Sequence, residues 1–359
     1  MYRDTADWAF REFIKYLFRP KGFEVRVAAL CIPVLVALLG GNWLVKATVR
    51  GDYSFELGST NIIPDWAQWS LVTIFIVVFV SCFVIGWKRF NRENELRNRK
   101  KVIVIEGRGL REDDGSPLTA AVPSDIVGHR LGVLLDLRQK RDGVIVDPDL
   151  LLPEVDAARR MVQQYARQND RQDVTLVYGG LTSVPMTFLT GVVFDDEGSI
   201  VVMDWDRTRE AWRSLDSQDD GERFIVENLD SVKDTREVVL AVSGSYQVRD
   251  EHISTSFDVP VVRMSLPALN SSHWSQVKQS ALAQQLFDTA KRLEAKGVTT
   301  IHLLLACQNS VAFNLGRRYD KRNLPSVVAY QYEANGEKKF PWGVRMPVAG
   351  IAAPSIVRT

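Results

Sequence analysis

The chain has 359 residues, a formal net charge of +1 and 25% charged residues. This length predicts more than one domain. The composition is that of an ordinary globular protein and excludes a fibrous or disordered chain, while the net charge by itself selects no class of partner. Its three cysteines, Cys31, Cys82 and Cys307, have no spacing typical of a zinc site.

The first 24 residues contain an amphipathic pattern. Trp8, Phe13 and Phe18 are apolar, whereas Arg11 and Lys15 are interleaved with them. The pattern predicts a helix that lies on the membrane surface over residues 1–24. A helix that packs on a soluble domain is the alternative.

Two apolar runs without charges follow in residues 25–88. They extend over residues 27–45 and 66–87. Each has about the 20 residues that a helix needs to cross a hydrocarbon core of roughly 30 Å. We therefore predict two transmembrane helices joined by a short loop, rather than two buried helices of a soluble protein.

Lysine and arginine are distributed unequally around these runs. Basic residues are frequent before the first run and after the second, and the connecting loop holds only Lys46 and Arg50. Cytoplasmic loops carry the excess of positive charge. The sequence thus predicts a two-pass protein of the bacterial inner membrane with both termini in the cytoplasm and the loop outside.

Residues 89–124 are highly charged and then polar, with two prolines, and predict a charged connector, in which the apolar segment Val102–Glu106 indicates a short strand. Beyond it, the same order of strands and helices occurs twice. The first copy, 125–230, starts with a strand at Arg130, and the second, 231–348, starts with Glu237–Val242. Residues 349–359 form a tail. The fold class is therefore α/β, with two membrane helices followed by two fused Rossmann-like halves.

The clearest strand–turn–helix unit lies in the second copy. Ile301–Ala306 is a short apolar run that predicts a buried strand, and Ser310 or Asn309 can cap the helix that follows. Ligands of parallel α/β sheets bind outside the carboxyl ends of the strands. We expect the Gln308-Asn309-Ser310 turn to face a ligand there, because helix N-termini favour anions.

Other polar turns and flanking segments add donors for a flexible polar ligand. Lysine and arginine bind phosphates. Aromatic rings stack on bases, and those of Trp205, Tyr330, Tyr332 and Trp342 follow or end strands. Solvent exposure of the basic residues and core positions for the aromatic residues are the alternatives. The candidate ligand-binding residues are Arg138, Thr182, Ser243, Tyr246, Gln308, Asn309, Ser310, Arg317, Lys339 and Trp342.

Motifs of the common enzyme classes are missing from the sequence. It contains no Walker motif, GxGxxG loop, GxSxG elbow or HExxH motif, and its four histidines have no metal-binding spacing. We therefore predict no catalytic residues, no metal site and no cofactor.

Three segments resemble the SAVED domain of bacterial CBASS antiphage systems. They are IHLLLACQNSVAFNLGRRY with VVAYQYE in the second copy, Phe340-Pro341-Trp342 after it, and VTLVYGGLTSVPMTFLTGVVF in the first copy. Together with the two apolar runs, they make the chain similar to SAVED effectors with two transmembrane helices.

The resemblance implies a fold of two CARF-like subdomains and a ligand that is a cyclic oligonucleotide, expected to be a trinucleotide and to bind in the pocket between the two halves. A nucleotidyltransferase (CD-NTase) would supply this ligand during infection. Ligand-bound copies would then associate into a homo-oligomer and disrupt the membrane lipid, which kills the cell. No nucleic-acid polymer is expected among the partners.

Two other functions stay open at the level of sequence. One is a membrane-anchored Rossmann-like enzyme that acts on a cyclic nucleotide, which a cleavage assay would detect. The other is a membrane scaffold that binds a protein partner, which would show no nucleotide binding.

Overall fold

The computed structural model describes residues 43–46, 56–59, 65–109, 117–138, 147–195, 200–269, 272–348 and 353–359, with positions 27, 31, 140–141 and 144–145. The predicted surface helix over residues 1–24 lies outside these residues, as does most of the predicted first span, 27–45. The chain divides into two compact units, residues 1–98 and 99–359.

The first unit contains a short hairpin and a long helix. Strands β1 (Trp43–Lys46) and β2 (Glu56–Ser59) pair in antiparallel fashion. Helix α1 extends from Asp65 to Arg99. The predicted first span was therefore wrong at its carboxyl end, where Trp43 begins a strand instead of continuing a helix.

Helix α1 contains the second predicted span. Its segment Trp69–Arg92 is long and apolar enough to cross a membrane, and it is the one such helix among the described residues. Large apolar side chains such as Trp69, Ile74 and Val77 are 64%, 56% and 57% exposed. This exposure suits contact with lipid, since a soluble surface rarely presents so many large apolar groups together.

The second unit begins with a five-stranded sheet. In chain order its region contains β3 (Lys101–Arg108), α2 (Leu118–Ala121), β4 (His129–Asp136), the short hairpin β5 (Lys140–Arg141) and β6 (Val144–Ile145), α3 (Leu152–Arg167), β7 (Val174–Leu181), α4 (Val184–Val193), β8 (Ile200–Asp206) and β9 (Ala211–Ser214). The strand order is β4-β3-β7-β8-β9. The first four of these strands are parallel and β9 is antiparallel to β8.

The short strand expected at Val102–Glu106 is present as part of β3, but its place differs from the sequence prediction. It was assigned to the charged connector, yet β3 pairs with β4 on one side and with β7 on the other. Its residues Val102–Glu106 are all buried. The polar segment after β3 separates it from β4 in sequence and concealed its place in the first half.

A seven-stranded sheet follows in the same unit. Its region contains β10 (Ile225–Glu227), β11 (Glu237–Ser243), α5 (Asp250–Ile253), β12 (Val261–Ser265), α6 (Gln276–Ala295), β13 (Thr300–Ala306), α7 (Asn309–Arg317), β14 (Ser326–Gln331), β15 (Trp342–Arg345) and β16 (Ser355–Arg358). The strand order is β10-β12-β11-β13-β14-β15-β16.

The two sheets have the same central topology. The order β4-β3-β7-β8-β9 corresponds strand by strand to β12-β11-β13-β14-β15. The predicted repeat is therefore present, but its first copy begins at β3 and not at Arg130. The N-cap residues of α4 and α7, Ser183 and Gln308, occupy equivalent positions.

One hydrophobic core joins the two halves. It includes residues of both sheets and of helices α4 and α7, which lie between them. The rings of Tyr178 in β7 and Phe313 in α7 stack with centroids 3.7 Å apart. Smaller clusters of buried residues lie against the first and the second sheet. The halves thus form a single packed body.

Candidate functional site: a cavity at the carboxyl ends of the second sheet

A cavity of about 560 Å³ opens where strands β11, β13 and β14 end. This volume falls within the range of small-molecule sites, roughly 300–1,000 Å³. The wall comes from the loop after β11, the turn after β13 and the end of β14, and Val184 of α4 adds a residue of the first half. The cavity lies where the topology of a parallel sheet favours a ligand.

The loop after β11 is held in place by backbone amides. Those of Gly244, Ser245 and Tyr246 lie 3.0, 2.9 and 3.4 Å from the carbonyl oxygen of Ala306, the last residue of β13. Ser243 is buried, and its hydroxyl accepts a hydrogen bond from the amide of Val248. Ser243 therefore positions this part of the cavity wall and does not itself line the cavity.

Aromatic and basic side chains line the cavity. Tyr246 is 69% exposed and Tyr332 is 44% exposed. The ring of Tyr332 lies 5.3 Å from that of His252 and 5.7 Å from that of Phe340. Arg249 lies in the wall as well, with its guanidinium 3.2 Å from Glu251. Such a wall offers flat apolar faces and a cation side by side.

The turn at residues 308–310 does not line the cavity. Gln308 is the N-cap of α7, without a side-chain cap. Ser310 is buried and accepts a hydrogen bond from Nε2 of Gln279, 2.9 Å away. Its amide donates to Oδ2 of Asp204, a residue of the first half, over 3.2 Å. The prediction that this amide faces a ligand anion was wrong, because an internal carboxylate already occupies the N-terminus of α7.

Asp204 connects the two halves through this contact. Its side chain is buried, and Nε2 of His273 lies 3.3 Å from the same Oδ2 atom. The backbone amide of Trp205 also donates to Asp204, over 2.8 Å. A negative charge at a helix N-terminus is favourable, so Asp204 caps α7 across the boundary between the halves.

A second polar contact joins the halves beside it. The hydroxyl of Thr187 in α4 donates to Oδ1 of Asn309 over 2.9 Å, and Thr182 lies 2.6 Å from Thr187 through their hydroxyls. Thr182 is buried. The predicted site residues Thr182 and Asn309 are thus brought together at the contact between the halves, outside the cavity wall.

The remaining basic candidates lie away from the cavity wall. Arg138 follows the edge strand β4, where its guanidinium binds Asp136 over 2.6 Å and lowers the pKa of that carboxyl. Arg317 is the last residue of α7, and burial lowers its pKa while Asp195 acts in the opposite direction. Lys339 donates through Nζ to the carbonyl oxygens of Ala334 and Gly336.

Trp342 belongs to the core. Its side chain is 5% exposed, and its indole donates to Oε1 of Glu333 over 2.9 Å. In this conformation the ring has no free face for a base. Among the ten predicted site residues, Tyr246 alone is in the cavity wall.

Several cavity residues were missed by the sequence analysis. They include Gln247, Arg249 and His252 after β11, and Gln331 at the end of β14. Tyr332 was considered only as one of several aromatic residues after strands. The rule that ligands bind at carboxyl ends of strands could have found Gln331 and Tyr332. Arg249 and His252 needed the fold of the loop.

The chemistry of the site contains no evident metal centre. Among the residues that the structure describes, no three His, Cys, Asp or Glu side chains form a group that could hold a metal ion. Burial raises the pKa of the Cys307 thiol in the cavity wall to about 12. The thiol therefore stays protonated at neutral pH and is a poor nucleophile.

Family models match nearly the whole chain. Residues 156–346 match the SMODS-associated and fused to various effectors sensor domain, SAVED. The chain belongs to the SAVED family. Residues 3–152 match the SAVED-fused 2TM effector domain, which confirms the resemblance drawn from the sequence. The first sheet of the SAVED unit takes β3 and β4 from the region matched by the effector model and β7 to β9 from the region matched by the sensor model.

Several solved SAVED/CARF-domain receptors match part of this chain. The Cap4 SAVED/CARF-domain receptor of Acinetobacter baumannii with the cyclic trinucleotide 2'3'3'-cAAA is 10% identical, with a TM-score of 0.48 over 78% of this chain and 59% of that one. Its complex with 3'3'3'-cAAA gives 11% and 0.45 over the same shares. The Moraxella osloensis Cap4 receptor gives 11% and 0.44, over 78% and 57%. The chain thus spans less than two thirds of these receptors, and no curated protein sequence matches it.

Proposed function

We propose that this SAVED protein is a membrane effector that binds a cyclic oligonucleotide, expected to be a cyclic trinucleotide, in the cavity of the second half. The observation that carries the proposal is the cavity itself, about 560 Å³ in volume, with Tyr246, Tyr332, His252 and Arg249 in its wall. Aromatic faces stack on bases and arginine pairs with phosphates.

The type of ligand follows from the combination of these groups. A cyclic oligonucleotide presents several bases and several phosphates within a small ring. The cavity wall offers more than one aromatic ring and one arginine, and the polar backbone of the loop after β11 borders the cavity. The sensor description of the matched family supports this ligand class. The Cap4 receptors have been solved with cyclic trinucleotides.

The membrane part is expected to execute the response. The match of residues 3–152 to the 2TM effector family and the apolar segment Trp69–Arg92 support insertion into a membrane. Ligand binding would favour an oligomeric form of the sensor, since a ligand shifts an equilibrium toward the form that it binds better. Clustered spans would then disrupt the bacterial inner membrane and kill the infected cell. The nucleotide would come from a cyclic-nucleotide synthase in the same cell.

Calorimetric titration of the full chain in detergent tests the sensor function. Cyclic di-, tri- and tetranucleotides are titrated separately, and each mixture is then analysed by chromatography for cleaved products. Saturable binding of a cyclic trinucleotide without cleavage is the expected result. Cleavage would support an enzyme instead, and no binding of any member would leave a scaffold for a protein partner.

Reporter fusions test the topology. A reporter that is active only outside the inner membrane is expected to work when inserted at Ser59 and to be silent after Thr359. The reverse pattern would exclude a sensor of a cytoplasmic nucleotide.

A further inference from the structure

Gln331, the last residue of β14, belongs to the cavity wall and has a side-chain oxygen without a hydrogen-bond partner among the described residues. Its Nε2 donates to the carbonyl oxygen of Tyr332 over 3.0 Å. A carbonyl oxygen can only accept, so this contact fixes the amide with Oε1 on the other side. Oε1 is buried and has no hydrogen-bond partner in the described part of the chain.

The internal repeat explains why Oε1 is left without a donor. Leu176, seven residues before the N-cap of α4, pairs with Ile200, and Ile301, seven residues before the N-cap of α7, pairs with Val327. Counting on from Ile200 and Val327, Asp204 and Gln331 occupy equivalent positions.

Asp204 uses its oxygen to cap α7 through the amide of Ser310. The residue of α4 equivalent to Ser310 is Pro185. Proline has no backbone N–H, so α4 cannot supply the donor that Gln331 would need for the same role. Oε1 of Gln331 therefore does not cap α4, although the equivalent residue Asp204 caps α7.

We propose that Oε1 of Gln331 is a specificity determinant that accepts a hydrogen bond from the exocyclic amino group of a ligand base. The inference rests on the proposed function and names the base class that the cavity selects. Tyr332 is adjacent in sequence and lines the same cavity as Gln331, so a base stacked on Tyr332 would lie beside position 331. In the structure Oε1 is buried and Nε2 contacts the carbonyl oxygen of Tyr332, so the ligand-bound form requires the amide to turn about its last torsion, which releases this contact and turns Oε1 toward the base.

Discrimination follows from the unmet acceptor. A site built around a hydrogen-bonding group rejects an analogue that lacks the matching donor, because the buried group then stays unpaired. Adenine, guanine and cytosine carry an amino group and uracil does not. A base that presents a carbonyl oxygen at this point would place two acceptors against each other.

The test uses pairs of ligands that differ in one amino group. Cyclic trinucleotides of adenine and of unsubstituted purine form one pair, and those of guanine and hypoxanthine form the other. The Kd of each is measured calorimetrically on the full chain in detergent. At least one amino-bearing member is expected to bind tenfold or more tightly than its partner. Equal affinity within both pairs would overturn the inference and leave the proposed function intact.

Variants assign the effect to residue 331. Gln331→Met keeps the length and removes the acceptor, and is expected to abolish the difference within the pair. Gln331→Glu keeps an acceptor oxygen, and its ratio of affinities should persist even if both ligands bind more weakly. Gln218→Met, at an exposed glutamine outside the cavity wall, is the matched control and should keep the wild-type ratio. A ratio unchanged in Gln331→Met, with an unchanged melting temperature, would overturn the assignment.

Nucleosides separate this inference from the proposed function. Adenosine and purine riboside, measured by thermal stabilisation of the full chain, need only the base subsite. Preference for adenosine without binding of any cyclic trinucleotide would support Gln331 and refute the cyclic ligand. No stabilisation by adenosine or guanosine, together with no binding of their cyclic trinucleotides, would refute both.

Discussion

Gly191 of α4 and Gly316 of α7 occupy equivalent positions, and each lies against the backbone of the other helix. A Cβ atom on Gly191 would overlap the carbonyl oxygen of Phe313, and one on Gly316 would overlap that of Phe188. The two helices therefore cross at a pair of glycines related by the internal repeat. Without side chains there, the backbones of the two halves come into direct contact.

Gly316→Ala is expected to destabilise the protein. Alanine is favoured over glycine in a helix by about 1 kcal/mol, but the overlapping atom is a backbone carbonyl that cannot rotate away. We expect a net loss of about 1–3 kcal/mol in the free energy of unfolding, measured with urea on the full chain in detergent. Gly132→Ala, where the nearest atom is 3.5 Å from the added Cβ, is the control. A stabilised Gly316→Ala protein would show that the helices are not in such close contact.

Asp204→Asn is expected to weaken the contact between the halves. The substitution removes the charge that caps α7 and faces His273. Asparagine keeps only one acceptor oxygen, so it cannot accept from the amides of both Trp205 and Ser310 as Asp204 does. A buried hydrogen bond to a charged group is typically worth about 1.5–3 kcal/mol. The free energy of unfolding should fall by this amount, while Asp216→Asn, at a side chain that is 71% exposed, should have little effect. Equal stability of the two variants would contradict the capping role.

The position of β3 predicts which sensor fragment folds. A fragment that begins at Arg99 keeps β3 and the ion pair between Arg99 and Asp173, 3.0 Å apart. A fragment that begins at Gly109 lacks β3, so β4 and β7 would both lose their partner. We expect a cooperative thermal transition only for the longer fragment. A folded protein from residue 109 would mean that the sheet forms without β3.

The half-buried thiol of Cys307 is expected to resist alkylation because its pKa is raised. Burial raises its pKa from the ordinary value of 9.0 to about 12, so the folded state keeps the proton at pH values where the unfolded chain loses it. This contribution to stability is complete below pH 9 and is lost as the pH rises toward 12. In a Cys31→Ser/Cys82→Ser background, iodoacetamide at pH 8 should modify the folded protein much more slowly than the urea-unfolded one. Equal rates would show that the thiol is exposed.

The short connection between helix α1 and strand β3 predicts how ligand binding in the sensor would affect the membrane part. Helix α1 ends at Arg99 and β3 begins at Lys101, so Lys100 alone separates them. If the proposed function holds, a flexible Gly-Ser insertion at Lys100 should leave the Kd for the cyclic nucleotide unchanged and reduce ligand-dependent leakage of vesicles. An insertion of alanines that continues the helix is the control. Full leakage with the Gly-Ser variant would show that a stiff connection is unnecessary.

The sequence by itself determined the class of this protein. Apolar runs of about 20 residues predict membrane helices because their length matches the bilayer, and helix α1 contains the second run in a segment long and apolar enough to cross a membrane. Short apolar strands alternating with helices predict a parallel sheet. The segments around Val174–Tyr178 and Ile301–Ala306 indicated the family, since they combine a buried strand with the start of a helix.

Only the tertiary structure decided where the cavity lies and which polar residues face it. Local sequence marks a turn such as Gln308-Asn309-Ser310, but the partner of its amides is Asp204, more than 100 residues away in the chain. Gln331 and Asp204 are equivalent in the repeat, yet one caps a helix and the other borders the cavity. That difference arises because α7 presents an N–H at Ser310 to Asp204, whereas α4 has Pro185, without an N–H, at the equivalent position. Such pairings exist only after the halves have packed together.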